Sequence, residues 1–199
     1  MIKKHIPNTI TCLNLISGCI ATYWAFMGDY EMALLFIVIG AVFDFFDGMV
    51  ARLLHVSSPI GKELDSLADD ITFGFAPSAI VFSFLNSFDS LLTSNLSPLT
   101  SHLLPLTPYL AFIMAAFSAL RLAKFNLDER QTLGFIGLPT PANALFWGSL
   151  IWSLNLQTLF EPYQLSDYWF YLVLVLIFIN SYLLVSEIPM FALKFKTWG

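Results

Sequence analysis

Apolar and polar positions alternate along this chain in long blocks, not at short strand-like intervals. Six blocks stay apolar over about the 20 residues that a helix needs to cross a hydrocarbon core. They run over Ile10–Met27, Met32–Leu54, Leu67–Leu85, Tyr109–Phe125, Ala142–Leu159 and Tyr168–Ile188. Each block predicts a transmembrane helix. The second and third carry charged residues at their adjoining ends, so the chemistry is expected there.

Composition supports this pattern. The chain has 199 residues, 57% hydrophobic and 12% charged, with a mean hydropathy of +0.74. A soluble domain would carry about 25% charged residues. The expected fold is therefore all-α and polytopic, with six transmembrane helices in one membrane domain over residues 1–199. No internal repeat interrupts it. Lys3 and Lys4 precede an apolar run, but no small-residue cleavage site followed by a soluble body appears, so no cleaved signal peptide is expected.

Charge distribution sets the orientation. The basic residues are Lys3, Lys4, Arg52, Lys62, Arg121, Lys124, Arg130, Lys194 and Lys196. With six spans, all fall at the two termini or in the second–third and fourth–fifth loops. None falls in the loops around Gly28–Glu31, Asn86–Pro108 or Phe160–Asp167. The positive-inside rule then predicts that both termini and the acidic stretch face the cytoplasm, in a cell (inner, cytoplasmic) membrane. The net charge of −5 says little about partners, and no nucleic acid is expected among them. Cys12 and Cys19 read as small apolar packing residues, and His5, His55 and His102 have no ligand spacing.

The acidic stretch reads DFFDGMVARLLHVSSPIGKELDSLADD, from Asp44 to Asp70. On the second helix Asp44, Asp47, Gly48 and Ala51 fall at i, i+3, i+4 and i+7, on one face. After a break near Ser57-Ser58-Pro59, Gly61, Asp65 and Asp69 fall at i, i+4 and i+8 of a third helix, again on one face. Neighbouring antiparallel helices can thus point four carboxylates into one space. Such a group needs counter-charge, and its all-oxygen donor set suits Mg²⁺ or Mn²⁺. Two such ions would suit displacement at phosphorus. Gly48 and Gly61 would let a bulky ligand approach the backbone, and Arg52 could hold a phosphate oxygen. Asp70 and Glu63 point off the shared face and read as solvated or supporting.

With x for any residue, the stretch is D-x-x-D-G-x-x-A-R-x8-G-x-x-x-D-x-x-x-D. It resembles the signature of the CDP-alcohol phosphotransferase family at every defining position: Asp44, Asp47, Gly48, Ala51, Arg52, Gly61, Asp65 and Asp69. The resemblance implies six transmembrane helices, a homodimer and a two-metal site (Mg²⁺ or Mn²⁺) at the cytosolic side. It implies that all four aspartates bind metal, that Asp69 is also the general base, and that Gly48, Ala51, Arg52 and Gly61 cradle the CDP moiety.

Other segments narrow the acceptor alcohol. IPNTITCLNLISG carries Asn8, Thr11 and Asn14 at helical spacing; FGFAPSAI, ALRLAKFN and GLPTPANA follow along the chain. Together they are similar to the phosphatidylserine synthase branch. That branch transfers the phosphatidyl group of CDP-diacylglycerol to the hydroxyl of L-serine and releases CMP. Asn8, Thr11 and Asn14 would hydrogen-bond cytosine or cap the first helix. Arg121 and Lys124 would meet the serine carboxylate or a donor phosphate, unless they simply snorkel to the interface. Gly74 and Pro77 are expected to kink the third span and open a cavity. Two rivals stand: the same chemistry on glycerol 3-phosphate or an inositol compound, and a divalent-cation transporter.

Overall fold

The computed structural model describes residues 5–92, 104–127, 135–160 and 167–190. Apart from one two-residue ladder, the described regular structure is helical. Helix α1 spans His5–Phe26, α2 Tyr30–Leu53 and α3 Pro59–Asp69. A π-helical segment, Asp70–Phe75, joins α3 to α4, Ala76–Leu92. A 3-10 segment, Leu104–Ala111, leads into α5, Phe112–Leu127. Helices α6 (Thr140–Phe160) and α7 (Asp167–Val185) follow. Strand β1 (Phe135–Ile136) pairs antiparallel with β2 (Pro189–Met190).

Four helical stretches among the described residues are long and apolar enough to cross a membrane: His5–Phe26, Tyr30–Leu53, Pro59–Ser87 and Pro105–Leu127. The apolar stretch Trp169–Val185 is shorter. The chain is a multi-pass membrane protein, and α6 and α7 occupy the places where the fifth and sixth spans were expected. The third helical unit starts at Pro59 and not near Leu67. Hydropathy misses α3 because its residues are charged. Capping starts it: Ser58 Oγ accepts from Gly61 N–H at 3.0 Å, and Pro59 takes the first turn, where its missing N–H costs nothing.

The core holds large side chains such as Trp147, Phe73, Phe84 and Phe170, while the α1 face turned inward is made of small and polar residues and many large apolar residues face outward. The buried face of α1 is Pro7, Thr11, Asn14, Ser17, Gly18, Ala21 and Ala25, whereas Leu13, Ile16 and Tyr23 are exposed. On α2 the buried face is Tyr30, Ala33, Ile37, Gly40 and Asp47. Both repeat at alternating three- and four-residue steps, so the two helices meet along a seam of small side chains that lets their backbones approach. Cys12 and Cys19 sit off this seam and are exposed, not packed as the sequence suggested. Their spacing does place them on one face, but that face looks outward.

Gly74 and Pro77 also behave differently from expectation. A Cβ on Gly74 would stand 2.7 Å from Ser118 Oγ of α5 and 2.7 Å from Asp70 Oδ1. The glycine therefore admits a neighbouring helix and opens no cavity. The widened turn lies just before Pro77, whose ring cannot join the regular hydrogen-bond ladder. There Ala76 N–H reaches back to the Ile71 carbonyl, five residues away.

Candidate active site

Helix α2 ends in a tight reversal that sets the site. Val56 N–H donates to the Ala51 carbonyl at 3.0 Å and His55 N–H to the Arg52 carbonyl at 3.1 Å. This is a Schellman end, and His55 takes the left-handed conformation at φ 51° that glycine usually supplies. Three residues after His55, Ser58 caps the start of α3. The acidic faces of α2 and α3 are thereby turned toward each other.

Asp44, Asp47 and Asp65 each offer a carboxylate oxygen, and these oxygens lie within 4.8 Å of one another. Asp47 is 5% exposed, and its Oδ2 is buried with no hydrogen-bond partner. A buried, unpartnered carboxylate oxygen beside two further carboxylates is unfavourable unless a cation joins them. The donor set fits a hard divalent ion. Asp69 lies beyond this trio, within hydrogen-bonding reach of Asp44, and accepts from Asn14 Nδ2 at 3.2 Å.

A cavity of about 270 Å³ opens beside the carboxylates. Its walls include Asn8 and Thr11 of α1, Asp47, Gly48 and Ala51 of α2, and Gly61 and Asp65 of α3. A Cβ on Gly48 would meet nothing within 4 Å, so that glycine faces open space. One on Gly61 would stand 3.0 Å from Ser58 Oγ and 3.1 Å from Asn8 Oδ1, so this wall is tight. The Thr11 hydroxyl donates to the Pro7 carbonyl at 3.1 Å and stands next to Asp47. Arg52 is exposed and does not line the cavity; its Nε donates to the carbonyl of Gly48, which does, at 3.0 Å.

The remaining expected residues separate. Arg121 is buried beside Asp69, with its guanidinium 6.0 Å from the Phe125 ring centre and its Nε without a hydrogen-bond partner. It points inward and does not snorkel. Lys124 is exposed, and no described contact brings it to the carboxylates. Asn8 and Asn14 lie inside α1, and Asn14 bonds Asp69, so it caps no helix. Glu63 is exposed as expected. Asp70 is not solvated: it is half-buried against Gly74 and Ser118, because the π segment turns it toward α5.

Sequence reasoning assigned no role to Asn126. Its Nδ2 donates to Ser66 Oγ at 2.8 Å, and its carbonyl accepts from Lys62 Nζ at 2.9 Å. The end of α5 thus clasps α3 from outside. Lys62 is itself a wall of the cavity. Its sequence signals were its place at the end of ALRLAKFN and of an apolar helix, neither of which shows its contact with α3.

The geometry is therefore a cluster of carboxylates at the junction of two helices, beside a cavity walled by small residues. Residues 4–179 match the sequence profile of CDP-alcohol phosphatidyltransferase. This chain belongs to that family. Relatives agree in kind. The CDP-diacylglycerol–serine O-phosphatidyltransferase of Bacillus subtilis is 38% identical over 141 residues, covering 69% of this chain and 70% of the relative. The enzyme of that name from Mycobacterium leprae is 31% identical over 192 residues, covering 93% and 57%. That from Saccharomyces cerevisiae is 35% identical over 159 residues, covering 71% and 51%. The matched part thus spans little more than half of the mycobacterial and yeast relatives.

Proposed function

We infer that this member of the family transfers the phosphatidyl group of CDP-diacylglycerol to the hydroxyl of L-serine, giving phosphatidylserine and CMP. One observation carries the reading: the oxygens of Asp44, Asp47 and Asp65 converge within 4.8 Å, and Asp47 and Asp65 also wall the cavity lined by Gly48, Ala51 and Gly61. A cavity free of bulky side chains on one side and carboxylates on the other suits a nucleotide pyrophosphate held through metal. The names of the relatives favour serine over glycerol 3-phosphate or an inositol compound.

Asp44, Asp47 and Asp65 would hold one or two Mg²⁺ or Mn²⁺ ions, with Asp69 completing the set. Bound there, such ions would neutralise the pyrophosphate charge and stabilise departing CMP. Gly48, Ala51 and Gly61 admit the CDP moiety, Asn8 and Thr11 offer it polar contacts from α1, and Arg52 offers its guanidinium to a phosphate oxygen. Asp69 takes the serine hydroxyl proton. The serine oxygen–phosphorus bond forms as the bond from that phosphorus to the CMP oxygen breaks. Arg121, buried and incompletely paired, binds the serine carboxylate. Lys124 acts more remotely, at the headgroup level.

The one-sided basic residues support six spans with both termini and this site at the cytoplasmic face of a cell membrane. The family resemblance supports a homodimer. The deciding experiment measures CMP release from CDP-diacylglycerol with Mn²⁺ or Mg²⁺, offering serine, glycerol 3-phosphate or inositol. Serine-dependent release is expected. Release with another acceptor alone would overturn serine but keep the chemistry, and no release with any acceptor would overturn both.

A further inference from the structure

We propose that Asn14 is a positioning residue for phosphatidyl transfer, fixing the plane of the Asp69 carboxylate through an Nδ2–H···Oδ1 bond. The inference rests on the reading of Asp69 as the base. It extends the role of α1 from lining the nucleotide cavity to setting the geometry of proton removal.

Asn14 is fully buried, and its Nδ2 donates to Asp69 Oδ1 at 3.2 Å. A carboxylate at the end of one rotatable side chain can swing. A donor fixed on one oxygen leaves the other in a defined direction, and Asp44 is within hydrogen-bonding reach of the same carboxyl group. Two neighbours surround the donor residue. Asn14 Oδ1 is buried without a hydrogen-bond partner and faces Gly40, where a Cβ would stand 3.0 Å away and crowd it. The Asn14 backbone carbonyl accepts from the buried Thr72 hydroxyl at 3.0 Å. Thr72 can reach it only because Gly18 and Gly40 lack side chains: a Cβ on Gly18 would lie 2.8 Å from the Thr72 Cα, and one on Gly40 2.5 Å from its methyl.

These contacts form one unit. Thr72 lies in the π segment that follows Asp69, so the same stretch carries the base and is pinned to the helix that orients it. Asn14 lies away from the cavity wall, which α1 builds from Pro7, Asn8 and Thr11 one to two turns earlier. A cytosine contact is thus better assigned to those residues than to Asn14.

The test is steady-state kinetics of the full-length protein in lipid–detergent micelles, with CDP-diacylglycerol, serine and Mn²⁺. Asn14→Ala removes the donor; Asn14→Leu removes it with little change of volume and no new charge, keeping the question answerable if the alanine variant folds poorly. Both should lower kcat by about 10- to 100-fold, a part of what a general base supplies. KM for both substrates should stay within about threefold, since neither substrate loses a contact. Mn²⁺-induced thermal stabilisation, read without substrate, should persist. Folded variants with kcat within about twofold of the parent would overturn the proposal, as would a loss expressed only in KM. Asp69→Asn separates the two levels. If it retains turnover, the base reading fails and this inference with it. If it is inactive while the Asn14 variants keep full kcat, only the positioning role falls.

Discussion

At the residue scale, chemistry and packing make different demands on similar side chains. Asp69→Asn keeps the shape of the side chain but turns one acceptor oxygen into a donor, removing the proton acceptor and one carboxylate from the metal set. CMP release should fall by about 10²- to 10⁴-fold, with the protein still folded; parental turnover in this variant would remove Asp69 from the mechanism. Gly48 and Gly18 make a sharper pair. A Cβ at Gly48 enters open cavity, so Gly48→Ala should leave thermal stability unchanged or raised by the helix preference of alanine, about 1 kcal/mol. It should nevertheless raise KM for CDP-diacylglycerol, and an unchanged KM would mean the ligand does not use this wall. A Cβ at Gly18 instead runs into the Thr72 backbone. Gly18→Ala should cost about 1–3 kcal/mol, seen as a lower melting temperature in detergent. Sequence spacing marked Gly48 and Gly61 as ligand glycines, but it held no sign that Gly18 and Gly40 serve packing around Thr72. That requires knowing which helix crosses which.

At the element scale, the site is made by endings. The Schellman end of α2, the Ser58 cap of α3 and the widened turn after Asp69 together aim the carboxylates. His55 occupies a left-handed position that a side chain disfavours by about 1–2 kcal/mol. His55→Gly should therefore raise the melting temperature without loss of activity, and a lower one would show that the imidazole makes a contact worth more than the strain. The break at Ser57-Ser58-Pro59 was legible, because serine followed by proline has a local capping meaning. The π segment was not. Gly74 and Pro77 pointed to a kink, yet a widened turn closed by α5 and an opened cavity share the same local residues. Only the approach of Ser118 distinguishes them.

At the scale of the whole molecule, a bundle that exposes this many large apolar side chains, among them Leu35, Phe45, Val175 and Phe178, is stable only where lipid covers its surface. The proposed orientation puts the α1–α2 turn outside the cell and the α2–α3 reversal inside. With Cys12 and Cys19 replaced by serine, a cysteine at Gly28 should react with a membrane-impermeant thiol reagent in intact cells. One at His55 should react only after permeabilisation, and the opposite pattern would invert the topology. The sequence by itself determined the membrane class, the rough placement of the four described helices long and apolar enough to span, and the helical faces shared by the four aspartates. These follow from composition and from the 3.6-residue period, which act within one segment. Tertiary structure alone decided that Arg121 turns inward while Lys124 stays exposed, that Asn126 clasps α3, that Asp70 faces α5, and that Asn14 serves Asp69. Each of these pairs residues distant along the chain, and no local periodicity encodes which faces of separate helices will meet.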